Sequence, residues 1–215
     1  MATKPGERKL AILHTLAQML ENPKGEKITT AALAARLDVS EAALYRHFAS
    51  KAQMYEGLIE FIEQTLFGLI NKIAAEEPSG LKQLEDIMAV MLGFAQKNPG
   101  MTRVLIGDVL VNEDERLQAR INQLHDRLEA TLRQALRIAA SSGEIAGGQE
   151  AASAANLLLA YVTGRWHQFA KSGFTRGPME QWPAQWRIIA SLRLGASSET
   201  TQGGLTSETA SPPVA

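Results

Sequence analysis

The sequence predicts an all-α fold of about nine helices, in which a small three-helix head precedes a larger helical body. Three observations carry that expectation. Apolar residues recur at three- and four-residue spacing across almost the whole stretch from Arg8 to Leu194. No segment alternates β-branched and polar residues as a half-buried strand would. The periodic stretches are interrupted at Asn22-Pro23, at Glu76 to Gly80, at Asn98-Pro99-Gly100 and in a Ser- and Gly-rich run from Ser141 to Gly148, which are residues that end helices.

The first helix is expected from about Glu7 to Glu21, with Leu10, Leu13, Ala17 and Leu20 along one face. Two short helices follow, about Thr29 to Arg36 and Glu41 to His47, separated only by Leu37, Asp38, Val39 and Ser40. A long helix then opens behind Ser50, which together with Gln53 makes a capping box, and runs to about Ala75 with Met54, Leu58, Phe61, Ile62, Leu69 and Ile73 on its buried side. The next spans Leu81 to about Lys97, with Leu84, Ile87, Met88, Met91 and Leu92 inward, and a shorter one Met101 to Leu110. Asp114 and Glu115 begin a long helix in which Leu117, Ile121, Leu124, Leu128, Leu132 and Leu136 recur mostly every four residues. An Ala- and Leu-rich helix from Glu150 to about Lys171 carries Tyr161, Trp166 and Phe169. The last, about Met179 to Leu194, places Met179, Trp182, Trp186 and Ile189 on one side, with Pro183 tolerable in its first turn. Residues 196–215 are small and polar and are expected to be disordered. The expected organisation is thus a head over 1–51, a body over 52–195 and a tail over 196–215.

Composition excludes several functions. With 215 residues, 45% of them hydrophobic, the chain can bury a substantial core. It has no cysteine, so disulfides, thiolate metal sites and sulfur nucleophiles are closed to it. His14, His47, His125 and His167 lack metal-ligand spacing, no phosphate-binding glycine loop occurs, and the Glu76-Glu77 pair is accounted for by solvation at a helix end. Neither catalysis, cofactor nor metal is expected. MATKPGERKL lacks the apolar core of a signal peptide and no apolar run is long enough to span a bilayer, so a cytoplasmic location without membrane contact is expected. Net charge is −1, yet residues 1–51 carry eight basic against five acidic side chains, a net of +3. A basic head on an acidic body is compatible with binding nucleic acid.

The informative stretch is Ile28 to Phe48, two helices too short to stand alone joined by a tight turn. Leu33, Val39, Leu44 and Phe48 supply a small core and Ser40 caps the second helix. The other face of that helix would put Glu41, Ala42, Tyr45 and Arg46 toward a DNA major groove, with Ser40 at its start also counted among the DNA-binding residues. Thr29, Thr30, His47 and Lys51 are better placed for phosphates, the threonines through helix-start amides and hydroxyls and Lys51 by its charge. Packing is the competing role for Tyr45, an even one for His47, and plain solvation the competing role for Lys51. Trp166, Phe169, Trp182, Trp186 and Ile189 are read as core or as the seam of a homodimer through the last two helices, since a twofold reader of a palindromic site needs paired heads.

The residues VSEAALYRHFASK, with TTAALAARL before them, resemble the DNA-binding motif of the TetR family, and the helix number and lengths fit that family over nearly the whole chain. Asp38 stands where the family usually has Gly in the turn, a position Asp tolerates in the left-handed conformation, and Ala49 where Pro is common. EAALYRHFASKAQMYEGLIEFIE, MLGFAQKNPGMTRVL and ERLQARINQLHDRLEATLRQALR further resemble the nucleoid-occlusion branch of the family. That resemblance implies a protein that binds specific chromosomal sites and disassembles FtsZ polymers, so that no septum forms over the nucleoid. It also implies that the FtsZ carboxyl-terminal tail docks between the fourth and fifth helices, against Phe61, Thr65, Leu69, Val90, Gly93, Phe94, Lys97 and Asn98. On their spacing alone Phe61, Gly93 and Phe94 read as packing residues. Lys97 stands where a relative of that branch has Arg, which keeps the charge and loses bidentate geometry. The alternative is a TetR-type repressor released from its operator by a small molecule in the body. The operator and the number of dimers on it are left open.

Overall fold

The structure, a computed structural model, describes residues 5–22, 28–145 and 151–191. All regular structure among them is helical: α1 Pro5–Leu20, α2 Thr30–Arg36, α3 Glu41–Tyr45, α4 Lys51–Glu76, α5 Gly80–Lys97, α6 Pro99–Leu105, α7 Glu115–Ser141, α8 Ala151–Lys171 and α9 Trp182–Ser191. The expected tail, the Gly147-Gly148 part of the loop before α8 and the end of the last helix beyond Ser191 lie outside the described residues.

The helix starts are set by local chemistry. Thr29, Ser40, Ser50 and Ser79 each hold extended backbone and accept, through the side-chain hydroxyl, the amides of Ala32, Ala43, Gln53 and Lys82, satisfying donors that have no partner inside the helix. Gln53 reaches back as expected, but its side-chain oxygen accepts from the amide of Ala49 at 2.8 Å, one residue before the cap. α6 starts earlier than expected because Pro99 sits at its first position, where its missing N–H costs nothing. It ends at Leu105, and the turns from Ile106 to Glu113 use Gly107 and Asn112 at positive φ.

α7 is the centre of the body. Leu117, Ile121, Leu124, Leu128, Leu132 and Leu136 are all at most 1% exposed, each gaining roughly 1.5–3 kcal/mol of transfer free energy before conformational entropy is charged against it. α5 and α8 flank it. α4 packs on α5 and on α7, where Arg120 pairs with Glu63 at 2.8 Å and the Arg127 guanidinium lies 3.9 Å over the Phe67 ring. α7 and α8 run antiparallel, since Asn156 donates to Glu129 while His125 meets Trp166 farther along.

Two glycines allow helices to touch backbone to backbone. At the base of the body a Cβ on Gly80 would fall 2.1 Å from the Ala139 nitrogen, and Glu144 from the loop after α7 caps α5 there, accepting from the Ser79 hydroxyl and the amides of Gly80 and Leu81. At the opposite end a Cβ on Gly100 would fall 1.9 Å from the Ala17 carbonyl oxygen, so α6 seats directly on α1.

Some expected faces differ. Leu10 is 45% exposed, and the buried side of α1 is Ile12, Leu13, Leu16, Ala17 and Leu20. On α4, Leu69 is 47% exposed and Phe61 and Ile73 only half-buried, because its packed sides are formed by Met54, Tyr55, Leu58, Ile59, Ile62, Leu66, Phe67 and Ile70.

Candidate nucleic-acid interface and body groove

The head is a three-helix unit in which α2 packs on α1 and α3 packs on α2. Leu33, Ala34, Leu44 and Phe48 are buried, and Val39 is half-buried against them. The turn between α2 and α3 depends on Asp38 at φ 54°, the left-handed conformation anticipated for it. With Leu44 turned inward, Ser40, Glu41, Ala42, Tyr45 and Arg46 are all exposed, Tyr45 by 46%. α3 is shorter than expected: Arg46 caps it, and the amide of His47 reaches only to Leu44 in a tightened last turn. His47 is half-buried.

Three of the expected contact residues are brought together. The Thr30 hydroxyl donates to the Glu41 carboxylate at 2.6 Å, and the Tyr45 hydroxyl donates to Thr30 at 3.4 Å, so the start of α2 and the exposed side of α3 share one small polar network. Thr29 uses its hydroxyl to cap α2 and Ser40 to cap α3. Lys51 is not simply solvated. Its ammonium pairs with the carboxylate of Glu113, from the turns before α7, and lies 5.6 Å from the centre of the Tyr55 ring.

On the body, Phe61, Thr65 and Leu69 form a stripe four residues apart along α4, and α4 packs on α5, which carries Val90, Gly93, Phe94 and Lys97 and ends at Asn98. Thr65 donates to the Phe61 carbonyl at 2.8 Å and Asn98 to that of Phe94 at 2.8 Å, which fixes both side chains. A Cβ on Gly93 would meet nothing within 4 Å. Phe94 is buried, Lys97 exposed. His14 of α1 stands edge-on to Phe61, ring centres 5.7 Å apart, so the head reaches the end of this stripe. The sequence offered no sign of that contact.

Of the two readings of the late aromatic residues, core or dimer seam, the structure bears out the core. Trp166 is fully buried, donating from its indole N–H to the Met91 carbonyl at 3.2 Å, and Phe169, Trp182 and Trp186 are at most 8% exposed. They fill the protomer's own core, leaving little surface for a partner; Ile189 is half-buried. The apolar side chains left outside on these helices are Leu157 at 59% and Ile188 at 61%, with Ala160 and Gly164 exposed beside Leu157 on α8.

No group of His, Asp and Glu able to hold a metal occurs among the described residues. None of their helices is long and apolar enough to cross a membrane.

Known proteins with the same pattern define the chain's family. Residues 26–58 match the family described as bacterial regulatory proteins, tetR family, and residues 79–193 the tetracyclin repressor-like, C-terminal domain of SlmA-like type. Among solved structures, a TetR transcription regulator from Haloarcula marismortui covers 88% of this chain and 99% of its own at TM-score 0.72 and 15% identity. The TetR family regulator PfmR from Thermus thermophilus covers 84% and 97% at TM-score 0.70 and 24% identity. These likenesses establish the fold. In sequence, the nucleoid occlusion factor SlmA of Alteromonas mediterranea is 52% identical over 89% of this chain and 98% of its own. That of Marinomonas sp. (strain MWYL1) is 48% identical over 88% and 96%. With a TetR-type helix-turn-helix head, the matching body and this identity over nearly the full length of its relatives, the chain belongs to the SlmA family of nucleoid occlusion factors within the TetR family.

Proposed function

We propose that this protein binds a palindromic chromosomal site as a homodimer and, so bound, engages the FtsZ carboxyl-terminal tail to prevent polymer and Z-ring assembly over the nucleoid. The observation that carries the DNA half is the division of α3: Leu44 anchors it, while Ser40, Glu41, Ala42, Tyr45 and Arg46 are exposed on the other side. In this reading Glu41, Ala42, Tyr45 and Arg46 meet base edges, and Thr29, Thr30, His47 and Lys51 meet phosphates. The Thr30–Glu41–Tyr45 network fixes the tyrosine ring before DNA arrives, which lowers the entropy lost on docking.

Residues 1–51 act as the reading head and the rest of the helical chain as the body. The body's seam is assigned to Leu157, Ala160, Gly164 and Ile188, since the neighbouring tryptophans are already enclosed. The tail is assigned to the stripe of Phe61, Thr65 and Leu69 together with Val90, Gly93, Phe94, Lys97 and Asn98, a reading supported by the half-buried or exposed stripe, the open space over Gly93 and the exposed Lys97.

The test is binding of a labelled FtsZ tail peptide to the purified protein, with and without palindromic DNA. Saturable binding that Gly93→Glu abolishes at unchanged thermal stability is expected, because that side chain would project into the groove without meeting a neighbour. Absence of tail binding in both conditions, with operator release by a metabolite, would return the chain to the ligand-responsive repressors.

A further inference from the structure

Lys51 joins the head to the body, and its pairing bears on how DNA is bound. Its ammonium is only partly solvated, with 25% of its side chain exposed and 22% of that of Glu113. The two residues lie 62 positions apart, Lys51 opening α4 behind the head and Glu113 closing the turns that lead into α7. They border a cavity of about 370 Å3 between the end of α1 and these turns, with Tyr55 and Arg103 on its wall. Arg103 ties the same two parts, donating to the Leu20 carbonyl at the end of α1 and to Asp108 in the turns, each at 3.2 Å.

We propose that Glu113 is a positioning residue for DNA binding: it holds Lys51 against the body in the free protein and has to yield it to a DNA phosphate. The inference rests on the reading of Lys51 as a phosphate contact. A lysine ammonium can point its three donors at both oxyanions, but a carboxylate beside a phosphate repels it, so the two compete for one cation. Because the exchange links two places, it runs both ways. DNA loosens the turns before α7, and anything that tightens those turns on Lys51 weakens DNA binding.

The experiment is operator affinity as a function of salt for the full-length protein and five variants, with a thermal melt of each. Lys51→Met is expected to weaken binding and to flatten the slope of log affinity against log salt by about 0.9 for each phosphate that the lysine neutralises. Glu113→Gln, nearly isosteric, is expected to tighten binding about two- to five-fold for each half-site, the size of a partly exposed ion pair released. Glu113→Asp keeps the charge but falls short of the ammonium, and should behave like Glu113→Gln. In the Lys51→Met background neither change at Glu113 should have any effect.

Weaker binding by Glu113→Gln, or a gain that persists in the Lys51→Met background, overturns the proposal, the second outcome marking a general charge effect. A wild-type response of Glu113→Asp overturns it too. Unchanged affinity and salt slope for Lys51→Met alone would remove the phosphate reading of Lys51, and the proposal with it.

Discussion

Gly100→Ala tests whether the head is seated on the body through backbone contact. A methyl at this position would lie 1.9 Å from the Ala17 carbonyl oxygen and 2.8 Å from its carbon, whereas ordinary contact begins at 3.4 Å. α1 and α6 must therefore part by about 1.5 Å, since neither atom belongs to a side chain that can turn away. Overpacking of this kind costs roughly 1–3 kcal/mol and more when backbone must move. The usual gain of up to about 1 kcal/mol from replacing a helix glycine is small at the second residue of α6. The expected net loss of about 1–3 kcal/mol lowers Tm by about 3–10 °C for a chain of this size. Because α1 carries α2, and α2 carries α3, specific operator affinity should fall more than affinity for random DNA. Gly68→Ala is the matched control: Gly68 is exposed inside α4, its added methyl meets nothing within 4 Å, and stability should rise by about 0.5–1 kcal/mol. Thermal melts and operator titrations of both variants decide the matter, and a Gly100→Ala protein as stable as wild type would refute the reasoning.

Three further outcomes are expected. Tyr45→Phe removes only the hydroxyl that reaches Thr30 and should weaken specific binding modestly, whereas Tyr45→Ala should weaken it by about 10-fold or more, measured against a scrambled site. His125 is held neutral by burial, with its Nε2 lacking any partner, and its pKa lies below the ordinary 6.5; the unfolded chain takes up the proton first, so stability should be constant above about pH 6.5 and fall as pH drops below it, a dependence His125→Leu should remove in denaturant melts. The carboxyl of Glu144 is pulled down to about 2 by hydrogen bonds from the Ser142 and Ser79 hydroxyls and the Leu81 amide; its contribution is complete above the usual 4.5 and lost between there and about 2, so Glu144→Gln should lower stability at neutral pH and blunt that second, more acidic loss.

How far the sequence could be read depended on how local each cause was. The caps at Ser40 and Ser50 and the left-handed Asp38 act within three residues, and all three were anticipated where they occur, whereas Thr29, expected as the first residue of its helix, caps it instead. The α7 leucines were equally plain, because that helix offers one wide apolar side to its neighbours. α1 and α4 are harder, since each meets more than one neighbouring helix and a single stripe no longer describes the buried side; hence Leu10 and Leu69 outside and Leu66 inside. Apolar character told that Trp166, Phe169, Trp182 and Trp186 would be enclosed but not by what, and the protomer itself encloses them. The Lys51–Glu113 and His14–Phe61 contacts join residues far apart in the chain, where no spacing rule operates.

The enclosure of those rings also decides what light can report. The chain's three tryptophans, Trp166, Trp182 and Trp186, are all buried in the protomer's own core, the last two 5.7 Å apart at their ring centres. Their emission follows the integrity of the α8–α9 corner and is nearly blind to whether a second protomer is attached. A dilution series followed by intrinsic fluorescence would therefore stay flat while the proposed dimers separate, and association has to be read by mass, light scattering or a dye placed at Leu157 or Ile188 of the proposed seam.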